Sequence, residues 1–450
     1  MKLGIDFGTS NTSAAMYDGR QIVFVPLDPD NREDPHVLSS MLYMSAGGTT
    51  LFGRRAMAEY FEQTAGQTIK YEQKTYGDVT MEFGDLTHVA KGFYLEEKDA
   101  VGRLFQYLKK FLSADFKTNV FGSFYRPYEL VTLILKYVKA TAEQSLRQEV
   151  SDILLGRPVK FSDHEEKNRA AAKHLHAAAL AAGFTLVDFE FEPVAAAYNY
   201  ALSAQTPEHA LIFDFGGGTF DVTIVSAQGG GRSNILGLAG APVGGSDFDR
   251  SIMYERIAPS FGKGCYVDDD HHVSDAVFLE LLNWQTILNL NRNRRFLRNL
   301  DDWIFYADDP APFKALKRLV KEHHGFALFQ EIETAKKRLS FVDEALVQYQ
   351  ISEQFRGEGE INIRQAISRA EFETLLHHYA RPVLKTIDDA LMSAGITAAQ
   401  IHRVVRVGGS SRIPFFHQLL AQKFGADKLL MQDEIKNVAA GLAIEAFRQA

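Results

Sequence analysis

The sequence predicts an α/β protein with a duplicated architecture, and three stretches carry that prediction. In residues 211–225 an apolar run ends in Asp214. Phe215, Gly216-Gly217-Gly218 and Thr219 follow, and a second run alternates Phe220, Val222 and Ile224 against Asp221 and Thr223. That pattern is strand, tight turn, strand. Residues 3–16 repeat the plan as Leu3-Gly4-Ile5-Asp6-Phe7-Gly8-Thr9, continuing through Ser10-Asn11-Thr12-Ser13 into Ala14-Ala15-Met16. A third glycine loop, Gly408-Gly409-Ser410, enters a helix at Arg412-Ile413-Pro414. One such loop would be an ordinary hairpin. Two copies, each with Asp at the end of an apolar run, point to an internal duplication closing on one ligand.

The residue types name the ligand's chemistry. A glycine turn has no side chains to hold a ligand off, and its N–H groups can converge on an anion. Asp214 and Asp221 flank the turn with charge suited to a hard cation. A magnesium nucleotide satisfies both, with phosphate on the N–H groups and Thr hydroxyls and the metal or its waters at each Asp. Gly408-Gly409-Ser410 offers N–H groups and flat backbone to a nucleoside. The chain contains no Gly-x-x-x-x-Gly-Lys-[Ser/Thr] stretch, no Gly-x-Gly-x-x-Gly after a first strand and no Gly-x-Ser-x-Gly elbow, so the common nucleotide and hydrolase signatures are absent.

Bulk properties bound the rest. A chain of 450 residues exceeds one ordinary core, so two or more compact units are expected. The apolar fraction of 46% is that of a folded chain. A net charge of −8 argues against bulk nucleic-acid binding. Arg292, Arg294, Arg295 and Arg298, beside Phe296 and Leu297, read as a solvated helix face. The single cysteine, Cys265, allows no disulfide framework and has no activating neighbour in sequence. The N-terminus enters a strand directly, without a basic and then apolar leader, and no segment has the length of a membrane span. The expectation is a cytoplasmic protein with neither nucleic acid nor membrane as partner.

Along the chain, residues 3–6, 13–17 and 22–26 read as strands, with a turn at Asp18-Gly19-Arg20, and another strand falls near 41–44. Residues 53–100 read as short mixed elements around Gly66, Gly77, Gly84 and Gly92. Residues 127–149 form an amphipathic helix: Pro127 suits its first turn, and Leu130, Leu133, Ile134, Tyr137 and Val138 share a face. A strand at 152–155 and Gly156-Arg157-Pro158 lead to a helix over 165–182 that Gly183 stops. A short strand, 187–191, precedes Glu192-Pro193-Val194-Ala195-Ala196-Ala197, which opens a helix with Pro in the first turn. Gln228-Gly229-Gly230-Gly231 turns the chain into a strand at 235–239, and Gly244-Gly245-Ser246-Asp247-Phe248-Asp249 starts a helical stretch. Residues 260–330, with Trp284, Trp303 and an acidic run at 268–270, read as a mostly helical subdomain. It continues through Ile332, Ala335 and Leu339 to a strand at 346–351. A long helix over 369–394, a strand at 401–407, a helix to about 424 and an Ala-rich helix over 438–447 complete the chain. The pairs His271-His272, His323-His324 and His377-His378 lack metal-site spacing and read as surface histidines.

With these residues in view, the chain resembles the DnaK-type, seventy-kilodalton heat-shock chaperones within the actin, sugar-kinase and heat-shock ATPase superfamily. The matching segments are the two loops, the helix openings Glu192-Pro193-Val194-Ala195-Ala196-Ala197 and Val438-Ala439-Ala440-Gly441-Leu442-Ala443, and the loop Val407-Gly408-Gly409-Ser410-Ser411-Arg412-Ile413-Pro414. Gly244-Gly245-Ser246-Asp247-Phe248-Asp249 and Ile367-Ser368-Arg369-Ala370-Glu371-Phe372 favour the chaperone branch. The resemblance implies a two-lobed, actin-like ATPase fold of duplicated ribonuclease H-like mixed sheets with flanking helices. Lobe I would take residues 1–191. Lobe II would take 192–435, with an enlarged helical subdomain at about 250–366, and the helix at 436–450 would return to lobe I.

By the same resemblance, ATP or ADP with Mg2+ would be the ligand. Asp6 and Asp214 would hold the magnesium waters, while Gly8, Thr9, Ser10, Asn11, Gly216, Gly217, Gly218 and Thr219 would contact phosphates. Glu192 and Asp221 would order the attacking water and the metal shell. Gly408, Gly409, Ser410 and Arg412 would face the nucleoside, with Glu333, Lys336, Lys337 and Ser340 at ribose and base. The family's lysine near the γ-phosphate matches Lys109 in Leu108-Lys109-Lys110-Phe111-Leu112, with Lys110 the adjacent alternative.

Departures from the family are visible. Lys337 stands where a stacking Arg is usual, and lysine stacks less well. Ile435-Lys436-Asn437 replaces an acidic pair. The helical subdomain is longer. The chain is expected to lack a peptide-binding domain, a plan that resembles the small bacterial group typified by YegD. The leading reading is an ATP-binding, slowly hydrolysing, chaperone-like switch whose protein partner or client docks on the helical subdomain of lobe II. A small-molecule kinase, with Asp221 as base, and an actin-like filament former or reactivating factor are the other readings.

Overall fold

The computed structural model describes residues 2–64, 71–83, 86–97, 101–162, 164–229, 232–268, 271–291, 293–322, 324–352, 359–432 and 436–449. The chain divides into two compact units. One comprises Met1–Ala65, Ala100–Gly245 and Ala380–Ala450; the other comprises Gly66–Asp99 and Ser246–Tyr379.

The first unit is built on a repeated sheet. In one copy the spatial order is Leu186–Phe191, Asp152–Arg157, Lys2–Phe7, Asn11–Tyr17, Ile22–Phe24, with Leu38–Ser39 also pairing Asn11–Tyr17. In the other the order is Leu429–Met431, Arg403–Val407, Glu208–Phe215, Phe220–Gly229, Arg232–Ala241. Each copy has a central strand paired parallel on one side and antiparallel on the other. In each copy a helix joins the two outer parallel strands, Glu165–Ala181 between Asp152–Arg157 and Leu186–Phe191 and Pro414–Phe424 between Arg403–Val407 and Leu429–Met431. Each copy then ends in one further helix, Glu192–Ser203 or Asn437–Arg448. The duplication inferred from two loops therefore runs through whole sheets. The central strands are buried on both faces: Leu3, Ile5, Phe7, Leu211, Ile212 and Phe213 are all 0% exposed. That explains why they read as continuous apolar runs.

The two terminal helices pack closely because their contact faces are small. Ala195, Ala196 and Ala197 on one and Ala439, Ala443 and Gly441 on the other are buried. Gly441 lies against the backbone carbonyl of Ala195, and a side chain of any size there would overlap it. Leu154 from the first sheet and Ile212 and Val405 from the second pack around the pair. Upstream, Pro127–Leu146 carries Leu130, Ile134 and Val138 into the core, and the Tyr137 hydroxyl donates to the Leu27 carbonyl at 2.8 Å. Glu165–Ala181 is followed by Gly183 in the left-handed region at φ 95°, the expected stop.

The second unit is mostly helical. Asp275–Leu279, Trp284–Leu290, Arg294–Tyr306, Ala311–Lys321 and Gly325–Leu339 surround fully buried Phe261, Phe278 and Phe313. The antiparallel ribbon Glu344–Ile351 with Ile361–Ser368 follows. Arg318, 4% exposed, ties the unit together by donating to the carbonyls of Ser352 and Gly359 and pairing with Glu322 at 3.0 Å. Arg294, Arg295 and Arg298 are exposed, as a solvated face requires.

Some elements differ from expectation. Residues 53–100 hold a helix, Gly53–Thr64, and two long paired strands, Tyr71–Phe83 and Leu86–Glu97, rather than short pieces. Gly77 and Gly92 face each other at a register shift inside the strands, so they mark an irregularity in the ladder and not turns. The strand expected at 22–26 stops at Phe24, and the one expected at 152–155 runs on through Gly156 to Arg157. His324 is not a surface histidine. Its Nδ1 lies 2.8 Å from the Tyr349 hydroxyl and its Nε2 3.2 Å from Glu322, and burial pushes its pKa down. His377 and His378 are exposed. Gly66, Gly84, Gly230, Gly231, Asp269, Asp270, Arg292, His323 and Ile435, and the side chains of His271 and His272, lie outside the described residues.

Candidate functional site

The two glycine hairpins share one closure. The Gly8 N–H donates to the Asn11 carbonyl at 2.9 Å, and the Gly216 N–H donates to the Thr219 carbonyl at 3.0 Å. Register places Asp214 opposite Asp221 and Phe215 opposite Phe220, while Asp6 faces Ser13 and Phe7 faces Thr12. Phe7, Phe215 and Phe220 are fully buried and anchor the turns, so the alternate positions carry Asp6, Asp214 and Asp221 on the other face of each sheet.

The loops meet along the glycines. A Cβ on Gly217 would stand 3.6 Å from Ser10 Oγ. One on Gly218 would stand 3.3 Å from Lys110 Cε and 3.8 Å from Thr9 Oγ1. Only glycine leaves that edge bare for a ligand. Behind it, Gly244 packs on Gly217 and Gly218, and the Gly245 N–H donates to the Gly216 carbonyl at 3.1 Å. Gly244 and Gly245 thus support the loop. The glycine pair beside Asp247 and Phe248 was their only sequence signal, and it carried no hint of this backing role.

Charge concentrates beneath the loops. Lys109 Nζ lies 2.5 Å from Glu192 Oε1, with the two side chains 7% and 14% exposed. Burial drives the Asp214 carboxyl from the ordinary 3.8 up to about 7, with Glu192 adding to the rise and Lys109 opposing it. Asp6 is raised well above the usual carboxylate range by burial, then by Glu192, with Lys109 working against them and Asp214 adding to the rise. Asp221 is raised by burial and by Asp214 and Glu192, against a hydrogen bond from Thr219. Carboxylates that raise one another around one lysine form a site that gains from further positive charge. Among the described residues no three His, Cys, Asp or Glu side chains group closely enough to ligate one ion directly. Asp6 and Asp214, both raised by burial and by neighbouring carboxylate charge, are the side chains that added positive charge would favour in their ionised form.

The third loop joins the second. Arg403–Val407 ends at Gly408, left-handed at φ 84°, and the chain passes through a 3₁₀ turn, Ser410–Arg412, into Pro414–Phe424. Gly408 abuts the Phe215 backbone and Asp214, where a Cβ would not fit. The Ser410 hydroxyl donates to the Gly216 carbonyl at 2.8 Å, and Ser411 closes onto the Gly408 carbonyl at 2.7 Å. Nothing stands within 4 Å of where a Gly409 Cβ would sit, so that backbone is open to a ligand. Arg412 is half-buried at the end of the turn.

In the second unit, Glu333, Lys336 and Lys337 lie on Gly325–Leu339, and Ser340 caps it. Lys336 Nζ lies 2.8 Å from both oxygens of Asp249. Burial raises the Asp249 carboxyl and Lys336 opposes it. Burial also acts to raise Glu333, but Lys337 and Lys336 outweigh it and leave the carboxyl below its ordinary value. Lys337 pairs with Glu333 at 2.8 Å, one helical turn away, and is otherwise exposed. Burial and Asp309 push the Cys265 thiol up, away from thiolate.

Two copies of one mixed sheet, each ending its central strand in Asp-Phe and turning through glycine and threonine, define an actin-like ATPase fold. The chain belongs to the Hsp70 family. The family model described as Hsp70 protein matches residues 2–274 and 320–447. Membership makes the protein an ATP-binding ATPase of the chaperone type. Residues 275–319 fall between the two matched stretches, and they hold the helices from Asp275–Leu279 to Arg294–Tyr306 and most of Ala311–Lys321.

Proposed function

We propose that the protein is a slowly hydrolysing ATP switch. Its phosphates lie along Gly8, Thr9, Ser10, Asn11 and Gly216, Gly217, Gly218, Thr219, and its nucleoside lies against Gly408, Gly409, Ser410 and Arg412. The observation that carries this reading is the convergence of Ser10 and Thr9 on the bare edge of Gly217 and Gly218, beside Asp6 and Asp214. A bound magnesium ion would supply positive charge to the phosphates, with Asp6 and Asp214 holding its waters. Glu192, held by Lys109, accepts a hydrogen bond from the attacking water, and Asp221 orients the same shell from the opposite strand. Calorimetric titration with magnesium ATP is expected to give saturable, magnesium-dependent binding. A flat titration rejects the proposal.

The output of the switch is a protein partner that docks on the helices of residues 275–319. That stretch lies outside the family match, and its longest helix exposes Phe305 at 79% and Tyr306 at 65%, ring to ring at 4.9 Å. Two adjacent exposed aromatics form the kind of anchor that partners cover. Affinity capture with ATP or ADP bound is expected to recover a partner that the Phe305→Ser/Tyr306→Ser variant loses while it still binds nucleotide. Equal recovery by both proteins would remove this surface from the reading.

A further inference from the structure

The two sheet copies match position by position around their hairpins. Residues 8–11 turn the chain in one copy and residues 216–219 in the other, so the loops have equal length. Phe7 pairs with Thr12 and Asp6 with Ser13 in the first copy. Phe215 pairs with Phe220 and Asp214 with Asp221 in the second. Ser13 thus holds in one copy the place that Asp221 holds in the other. Residues directly opposite in an antiparallel pair share a face, so Ser13 stands on the face of Asp6 as Asp221 stands on the face of Asp214. Asp6 and Asp221 each feel the charge of Asp214, so these faces meet around one set of carboxylates.

The Ser13 hydroxyl has no structural use there. The residue is 2% exposed, and among the described residues its Oγ has no hydrogen-bond partner. Thr12, on the other face, is satisfied, with its Oγ1 2.8 Å from Ser40 Oγ. Packing does not call for the oxygen either, since the next residues, Ala14 and Ala15, are fully buried alanines. A dry hydroxyl without a partner lowers stability, and native folds keep few of them. A ligand that brings the partner accounts for the oxygen. A hydroxyl accepts hydrogen bonds as a carboxylate does. It adds no further negative charge to a pocket that already holds Asp6, Asp214, Asp221 and Glu192. Magnesium keeps several waters, and each has protons to donate.

We infer that Ser13 is a positioning residue for the magnesium nucleotide, its hydroxyl accepting a hydrogen bond from a water of the metal's shell beside Asp6. The assignment rests on the ATP reading above and adds to it a residue that lies outside all three glycine loops.

The test is nucleotide affinity, measured by calorimetry with magnesium and again with EDTA in its place. Ser13→Ala removes only the oxygen. The melting temperature of the nucleotide-free variant is expected to equal or exceed that of the wild type, because the deleted hydroxyl has no partner. MgATP is expected to bind about tenfold more weakly, the loss of one hydrogen bond, while ATP in EDTA stays within about twofold. Thr223→Val is the control. Thr223 is fully buried and its hydroxyl also lacks a partner among the described residues, but it faces Ile212 and no acid. Both affinities are expected to stay within about twofold in that variant. An unaltered MgATP affinity in Ser13→Ala, with the wild type binding, overturns the Ser13 assignment and leaves the ATP reading standing. A loss of equal size with and without magnesium, or the same loss in Thr223→Val, also overturns the assignment. A wild-type protein that binds no nucleotide overturns the ATP reading and this assignment with it.

Discussion

Asp214→Asn is expected to stabilise the nucleotide-free protein increasingly as pH rises, and to lower ATP turnover by about a hundredfold or more. The sign follows from the shifted carboxyl. Asp214 titrates at about 7 in the folded chain against an ordinary 3.8. Between those values the folded chain keeps a proton that the unfolded chain has released. Stability is therefore full below the lower value and is lost as pH rises through the upper one. Asp6 and Asp221 are raised in the same direction, so they act on the pH dependence with the same sign. In chelator-containing buffer the wild-type melting temperature should fall from about pH 5 to about pH 8, and the Asn variant should lose part of that slope. Magnesium nucleotide should remove the slope in the wild type, because added positive charge favours the ionised carboxylates. Parallel melting curves for the two proteins across that range would show that Asp214 is not a strained acid. Wild-type turnover in the variant would remove it from the chemistry.

Gly441→Ala is expected to cost about 3 kcal/mol or more, a large fraction of the roughly 5–15 kcal/mol by which folds are usually stable. The added methyl has nowhere to go, because the Ala195 carbonyl occupies its position and belongs to a helix fixed by its own buried Ala196 and Ala197. The measurement is the urea midpoint at unchanged slope, with Gly409→Ala as the control. Gly409 has a helical φ of −63° and no atom within 4 Å of its Cβ position, so the same substitution there should stay within about 0.5 kcal/mol. Similar midpoints for the two variants would mean that the helix crossing yields more readily than its contacts imply.

Much of the fold was legible because its signals are local. The apolar runs ending in Asp6 and Asp214, the glycine turns after them, the Pro193 helix start and the Gly183 stop each depend on a few neighbouring residues, and each stands where expected. The long strands Tyr71–Phe83 and Leu86–Glu97 were not legible, since their glycines suggest turns until the partner strand sets the register. His324 looked like one of a surface pair because only the distant ribbon brings Tyr349 to its ring. The backing of the Gly216-Gly217-Gly218 loop by Gly244 and Gly245 was equally hidden. It depends on a backbone approach that no side-chain pattern encodes.

By itself, then, the sequence determined the duplicated loops and the types of most elements, since each of these follows from residues adjacent in the chain. Tertiary structure decided how those loops are supported and charged. Lys109 finds Glu192 across 83 residues of sequence, and Ser410 reaches Gly216 across 194. Those long closures bury one lysine and expose its neighbour, and they set the carboxylates that raise one another. Burial and charge coupling depend on distance in space, and adjacency in the chain carries no record of it.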